Sequence, residues 1–353
     1  MSTPALSITL PRASGEDRIT PDIVLTPSDH RFKLVGSSGI TRYTLGEFVE
    51  AGTDACLFKL AEPHENLCIR LASRRRQRFE IERETNVYEA LQRVPPDVDS
   101  ILRIVECGTY RFDRHRFDPE ILCHGLNERR RRRCRDSPPL PDGPFTICNF
   151  CRGGDLFMLI DTGDITHCTL ADLILCTTKL LEALVCLESL GGNGFNGIYH
   201  GDIKLENICL RSRWGSGLPD LRTPVLIDFG GCVPMGHLAG TSTTFYRPPD
   251  YNGFGHHKFD VFSLGYAMFL LFGAWFSRRN PDSCASTVFN DFIGKKGMHV
   301  GYRRRFIQDF HTHVPSEYSN TVLIPMLAAK TIDRIDAKSA LLLLQGVNRT
   351  EIQ

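Results

Sequence analysis

The residues best suited to chemistry lie in two short stretches. One is His200-Gly201-Asp202-Ile203-Lys204-Leu205-Glu206-Asn207, and the other, twenty-one residues past Asn207, is Asp228-Phe229-Gly230. Asp202 offers a carboxylate that can take a proton from a hydroxyl, and Lys204 offers a compact cation for an anionic group. Asn207 and Asp228 offer hard oxygen donors of the kind that hold Mg²⁺. Each piece alone is an ordinary acidic turn after a strand. Together, flanked by the apolar runs Gly197-Ile198-Tyr199, Ile208-Cys209-Leu210 and Val225-Leu226-Ile227, they suit the transfer of a phosphoryl group to a hydroxyl.

The order H-x-D-x-K-x-x-N and then D-F-G resembles the catalytic loop and metal-binding turn of the eukaryotic-type Ser/Thr protein kinases. That resemblance covers about residues 43–345 and implies an α+β, bilobal protein kinase-like fold with a small β-rich N-lobe and a larger helical C-lobe. It implies ATP and Mg²⁺ as cofactors and Ser/Thr residues of proteins as substrates. Asp202 is then the catalytic base, Lys204 meets the γ-phosphate, and Asn207 and Asp228 hold the metal. Downstream, residues 240–250 (GTSTTFYRPPD) resemble the end of a kinase activation segment, with Pro248-Pro249-Asp250 where Ala-Pro-Glu is usual. Thr243 falls where the family has a residue that touches both the catalytic Asp and the Lys. Arg334 is the expected buried partner of Asp250, and Asp260 is expected to accept backbone N–H bonds from the catalytic loop.

Upstream, residues 144–157 (PFTICNFCRGGDLF) align with the hinge between the lobes. Cys148 then takes the gatekeeper place, and the backbone of Asn149 and Cys151 would bond adenine. Cys148-x-x-Cys151 is also half of a zinc or redox motif, but no second Cys or His pair stands at a metal-like spacing.

Three departures from the family pattern matter. The glycine-rich loop, residues 49–57, keeps only its middle glycine, so phosphate contact falls to Gly52, Ala55 and Leu57. In the run LCIRLA, Arg70 stands where the family has the lysine that holds the α- and β-phosphates, and a planar guanidinium is not equivalent to an ammonium. Its expected helix partner is Glu84, which otherwise reads as a surface charge, and Lys59 in the preceding strand is the alternative cation. Finally, Gly201 replaces the usual Arg beside the catalytic Asp, and the segment from Asp228 to Asp250 is short. Both imply activity that does not wait for loop phosphorylation. The divergent small lobe and the H-G-D loop are most similar to virus-encoded kinases of the herpesvirus tegument group, which would imply the host nucleus and the virion tegument. The YEAL run after Glu84 and the H-G-D loop are also similar to the casein-kinase and vaccinia-related kinases. A pseudokinase that binds nucleotide or acts as a scaffold remains the alternative function, favoured by Arg70 and the worn glycine loop.

The elements that must position these residues follow from composition and periodicity. The chain has 353 residues, 42% of them apolar, enough to bury a large core, and its net charge of +1 gives no overall field toward nucleic acid or an anionic membrane. Direct nucleic-acid binding and membrane association are therefore not expected. Thirteen cysteines without a disulfide-like rhythm, and a start lacking a signal-peptide pattern, fit a reducing, intracellular setting. Residues 1–40 read as a flexible leader, 41–151 as the N-lobe and hinge, and 152–353 as the C-lobe. Short β-like runs (FVEAG, ACLFKL, NLCIRLA) precede a helix expected over about Arg75 to Arg93. Within residues 127–143, five consecutive arginines and then SPPLPDGP predict an exposed insertion loop, which could also serve nuclear import or an acidic partner. Helical periodicity dominates after Asp155. The apolar run from Ala267 to Phe276 is too short to span a bilayer of about 30 Å and reads as a buried helix.

Overall fold

The computed structural model describes residues 23–28, 31–36, 40–51, 55–72, 87, 90–113, 122, 126–136, 138–192, 195–239, 243–294, 300–314 and 316–347. Its N-terminal part is a curled sheet closed into a barrel. The strands are β1 (Ile23–Ser28), β2 (Arg31–Gly36), β3 (Thr41–Ala51), β4 (Ala55–Leu60), β5 (Leu67–Ala72), β6 (Ile104–Phe112) and β7 (Asp142–Asn149). They run around the barrel in the order β1-β2-β3-β4-β5-β7-β6. All neighbours are antiparallel except β1 and β6, whose parallel pairing closes the ring.

Period-two alternation decides what each face holds. In β4, Cys56, Phe58 and Leu60 are buried while Ala55, Leu57 and Lys59 alternate with them. The buried set packs with Leu25, Leu34, Ile69, Leu71, Phe145 and Ile147 inside the barrel. On β5, Arg70 and Cys68 alternate with Ile69 and Leu71. They therefore point out of the barrel core, Cys68 joining the main core instead.

Two expectations are corrected here. Residues 23–28 and 31–36, read as leader, form β1 and β2, and Leu25 and Leu34 are fully buried. The Arg-rich insertion, read as a loop, carries helix α1 (Glu128–Asp136). Arginine is a good helix former, and Glu128 in the first turn with Arg133 and Arg135 in the last complements the helix dipole. Cys134 is buried beneath it while Arg132, Arg133 and Arg135 are exposed. The helix expected over about Arg75 to Arg93 lies largely outside the described residues, although Val87, Ala90 and Leu91 are helical.

The C-terminal part is mostly helical: α2 (Leu156–Asp161), α3 (Leu170–Ser189), α4 (His257–Arg279), α5 (Cys284–Gly294), α6 (Val300–His313) and α7 (Ala337–Gly346). A reciprocal cap starts α3: Thr169 Oγ1 accepts from the Asp172 N–H, and the Asp172 carboxylate accepts from the Thr169 N–H. Helix α4 is the axis of the core, with Val261, Ala267, Phe269, Leu271 and Phe272 at or near zero exposure. It is 23 residues long, well beyond the expected apolar run, and by length and composition it could cross a membrane. Yet 94% of its apolar window is buried inside the protein.

Short strands hold the loops that carry the site. These are β8 (Gly191–Gly192), β9 (Phe195–Asn196), β10 (Ile198–Tyr199), β11 (Ile208–Leu210), β12 (Pro224–Leu226) and β13 (Val233–Pro234). Residues 200–207 join β10 to β11, and residues 227–232 join β12 to β13. Because β11 pairs with β12 and β10 with β13, the two loops leave neighbouring strands and lie side by side.

Candidate active site

The backbone at residues 200–201 is pinned from below. Asp260, buried in the first turn of α4, accepts the His200 N–H at 2.7 Å and the Gly201 N–H at 3.1 Å. Burial pushes its carboxyl up to about 7 against the pull of these two amides. His200 is fully buried, which lowers its pKa and keeps the ring neutral. Its Nδ1 accepts the Asp202 N–H at 3.3 Å, so Nε2 carries the proton and donates to the Ile227 carbonyl at 3.1 Å. One imidazole thus ties residues 202 and 227 together. Gly201 has φ +83, and a Cβ there would meet Tyr199 Cε1 at 3.1 Å and the Gly231 carbonyl at 3.3 Å. The absence of Arg at this place has a backbone cause.

Asp202 is the hub. Its Oδ1 accepts the Thr243 N–H at 2.8 Å and the Thr243 hydroxyl at 2.7 Å. Its Oδ2 accepts Lys204 Nζ at 2.7 Å and Asn207 Nδ2 at 3.1 Å. Burial raises the carboxyl pKa, but the bonds from Lys204 and Thr243 outweigh it and the net shift is downward. Burial likewise lowers the Lys204 ammonium, and the bond and charge of Asp202 turn the net shift upward. Lys204 also reaches Thr243 Oγ1 at 3.2 Å, so Thr243 touches both residues, as the sequence predicts. Asn207 Nδ2 donates as well to the Asp202 carbonyl at 2.8 Å. That commits the amide nitrogen as donor and leaves the amide oxygen as the side chain's acceptor.

Asp228 has φ +66 and ψ +74, and it alone among the described non-glycine residues has a positive φ. A carboxylate residue held in the left-handed region costs about 1–3 kcal/mol, and such strain concentrates at functional sites. Arg70, reaching down from β5, donates to its Oδ1 at 3.3 Å. Lys59 instead lies 4.6 Å over the Phe150 ring and 3.9 Å from Glu47. Of the two candidate cations, Arg70 is the one that reaches Asp228. Gly52 and Glu84 lie outside the described residues. Ala55 and Leu57 sit on the outer face of β4, and Leu57 is opposite Arg70.

At the hinge, Asn149 ends β7 and pairs with Leu67, and the Phe150 N–H bonds the Asn66 carbonyl at 2.9 Å. The Cys148 and Cys68 sulfurs are 3.5 Å apart. Cys151 is partly exposed, and the neighbouring Cys209 thiol, against burial and with help from Arg211, holds its thiol below its ordinary value. Among the described residues, no group of three or more His, Cys, Asp or Glu side chains is arranged to hold a metal ion.

The segment that follows the site is anchored by two buried arginines. Arg334 donates to Asp250 at 3.0 Å and to the carbonyls of Ala328, Lys258 and Ala329 at 2.9, 3.1 and 3.2 Å. Thr331 adds two bonds to Asp250 Oδ2, each of 2.5 Å. Arg303 was not singled out from the sequence. It donates to the carbonyls of Phe245 and Arg247 at 2.5 and 2.8 Å and lies over the rings of Phe262 and Tyr266. Its signal was its place: with Phe306, Ile307 and Phe310 it completes the buried stripe of α6. No protein-family model matches the chain, and no curated protein matches it.

Proposed function

We propose that the chain is a Ser/Thr protein kinase of bilobal fold that transfers the γ-phosphate of ATP to protein hydroxyls. The observation that carries this reading is the convergence on Asp202. Lys204, Asn207 and Thr243, from two separate segments, bond one carboxylate, and Asp228 stands strained beside them under Arg70. A merely structural carboxylate does not need a strained acidic neighbour and a cation supplied from the other half of the fold.

The donor set fits magnesium: the Asn207 amide oxygen and the Asp228 carboxylate are hard oxygen ligands, and together they carry one negative charge. Asn207 and Asp228 would hold the ion, and it would supply positive charge against that of the phosphates. The chain's own residues do the rest. A carboxylate has about four acceptor positions, and all of them on Asp202 are occupied by Thr243, Lys204 and Asn207. A substrate hydroxyl must therefore displace one donor. Lys204 is the group to move, because its arm is long and flexible and a γ-phosphate offers it a stronger anion. Its departure frees Oδ2, which then accepts the hydroxyl proton as the hydroxyl oxygen bonds the γ-phosphorus and the bond from that phosphorus to the β-phosphate oxygen breaks, releasing ADP. Thr243 and Asn207 keep the carboxylate aimed meanwhile. Arg70 takes the phosphate-holding place, with Asp228 as its orienting partner.

Nucleotide binding is tested by thermal shift with Mg²⁺-ATP. Wild type is expected to gain stability and Asp228→Asn to lose most of that gain, since a neutral amide is a poorer ligand for a hard cation. An undiminished shift in the variant would remove the metal role.

A further inference from the structure

Two free thiols meet on the outer face of the barrel sheet. In the antiparallel pairing of β5 with β7, Cys68 stands directly opposite Cys148, and Leu67 opposite Asn149. Directly opposed residues share one face of a sheet. The two sulfurs are 3.5 Å apart, and Cys68 Sγ lies 3.6 Å from the Cys148 carbonyl and 3.9 Å from the Asn149 carbonyl. Both residues pack with the helical core rather than inside the barrel, and each is 3% exposed. Arg70, two positions along β5 on the same face, reaches Asp228 at 3.3 Å. The thiol pair therefore sits at the hinge end of the sheet, about 7 Å along the strand from the cation that meets Asp228.

We infer that Cys68 and Cys148 are a modification site: hydrogen peroxide joins them in a disulfide when the cleft is empty, and bound nucleotide shields them. The shielding rests on the proposed nucleotide reading, with adenine at residues 149–151 and the phosphates at Arg70; the disulfide itself does not. The chemistry balances. One of the two sulfurs attacks a peroxide oxygen, the O–O bond breaks, and sulfenic acid and one water form. The facing sulfur then attacks the sulfenic sulfur, the S–S bond forms, the S–O bond breaks, and a second water leaves with the second thiol proton. Two thiols lose two electrons and the peroxide gains them. Burial slows the first step, since oxidation follows exposure, and only an oxidant of about the size of water reaches the pair. Contact favours the second step, because the resolving sulfur is already in place. The backbone also suits the bond: opposed residues of an antiparallel pair have Cα atoms about 4.5–5.5 Å apart, inside the roughly 4.4–6.8 Å that a disulfide spans. The bond joins residues 80 apart in the chain, and cross-links that close long loops restrict the unfolded chain most.

The test treats the reduced full chain with hydrogen peroxide, with and without Mg²⁺-ATP, maps disulfides by peptide mass spectrometry without reduction, and reads the urea midpoint before and after. The expected result is a Cys68–Cys148 cross-linked peptide and a urea midpoint that rises on oxidation and falls back with dithiothreitol. Mg²⁺-ATP at about ten times its Kd should slow cross-linking about tenfold, because about one molecule in eleven then has an empty cleft. Cys68→Ala and Cys148→Ala should each lose both the cross-link and the rise; if one of them folds poorly, the other and the wild-type map decide. A bond from either sulfur to a different cysteine, oxidation confined to the exposed Cys284, or a Cys68–Cys148 bond that lowers the midpoint would overturn the site. Equal rates with and without nucleotide, in protein whose thermal shift shows that Mg²⁺-ATP binds, would overturn the shielding. If reduced protein shows no thermal shift with Mg²⁺-ATP, the nucleotide reading fails, and the cross-link map alone decides the thiol pair.

Discussion

Replacing Thr243 by Val removes one hydroxyl and almost nothing else. Valine keeps the shape, and the residue's N–H still donates to Asp202 Oδ1 at 2.8 Å. What disappears is the 2.7 Å bond from Oγ1 to the same oxygen and the 3.2 Å contact that steers Lys204. A hydrogen bond to a charged group contributes about 1.5–3 kcal/mol, which corresponds to roughly 10- to 150-fold in rate if it is spent on aiming the base. The surviving N–H bond places the expected loss at the lower end, about 10- to 30-fold in kcat. KM for ATP should not change, because Thr243 touches the base and not Asp228. The pH profile gives an independent sign. Thr243 helps hold the Asp202 carboxyl below its ordinary value, so its removal raises that pKa and moves the acid limb of the rate to higher pH. Steady-state kinetics with ATP and a protein substrate across pH would read both. A kcat within twofold of wild type, or a loss confined to the ATP KM, would refute the assignment of Thr243 to the base.

Arg70→Ala should abolish phosphotransfer, by about 30- to 5,000-fold for the loss of a charged partner in a closed site, whereas Lys59→Ala should not; single-turnover assays decide, and the reverse pattern would move the phosphate-binding role to Lys59. Arg334→Met should cost about 3–5 kcal/mol by leaving Asp250 without its buried cation, measured by urea unfolding. The Asp250 carboxyl is held below its ordinary value, so the stability it contributes is full above that ordinary value and is lost as pH falls through the folded one. Gly201→Arg should destabilise by about 1–2 kcal/mol because of the left-handed backbone; equal stability would show that the loop can relax. Changing the arginines of 129–133 to Ser should leave in vitro activity intact, since the Arg133–Glu50 pair is exposed and such pairs contribute about 0–1 kcal/mol.

Short-range chemistry was legible in the sequence. The spacing of Asp202, Lys204 and Asn207 is set within one loop, and the structure brings them together with Thr243 as expected; the Asp250–Arg334 and Asp260 contacts follow the same order. What the sequence hid is long-range or depends on facing. Closure of the barrel needs β1 to pair in parallel with β6, some eighty residues away, and the Pro, Ser and Asp around residues 23–36 mask two strands whose buried Leu25 and Leu34 are too sparse to show a period. The arginine run was judged by its charge, while its helix is set by propensity and by Cys134 packing under it. Arg303 acts on carbonyls, which leave no trace in side-chain motifs.

The central claim is tested most directly by phosphotransfer itself: γ-labelled ATP, Mg²⁺ and a generic basic protein, with wild type beside Asp202→Asn, and nucleotide affinity measured on both. The account predicts label on Ser and Thr of the substrate with wild type, a loss of label by orders of magnitude with Asp202→Asn, and similar ATP affinity for the two. Equal labelling by both would contradict Asp202 as the base, and silence from both with nucleotide still bound would make the protein a binding pseudokinase.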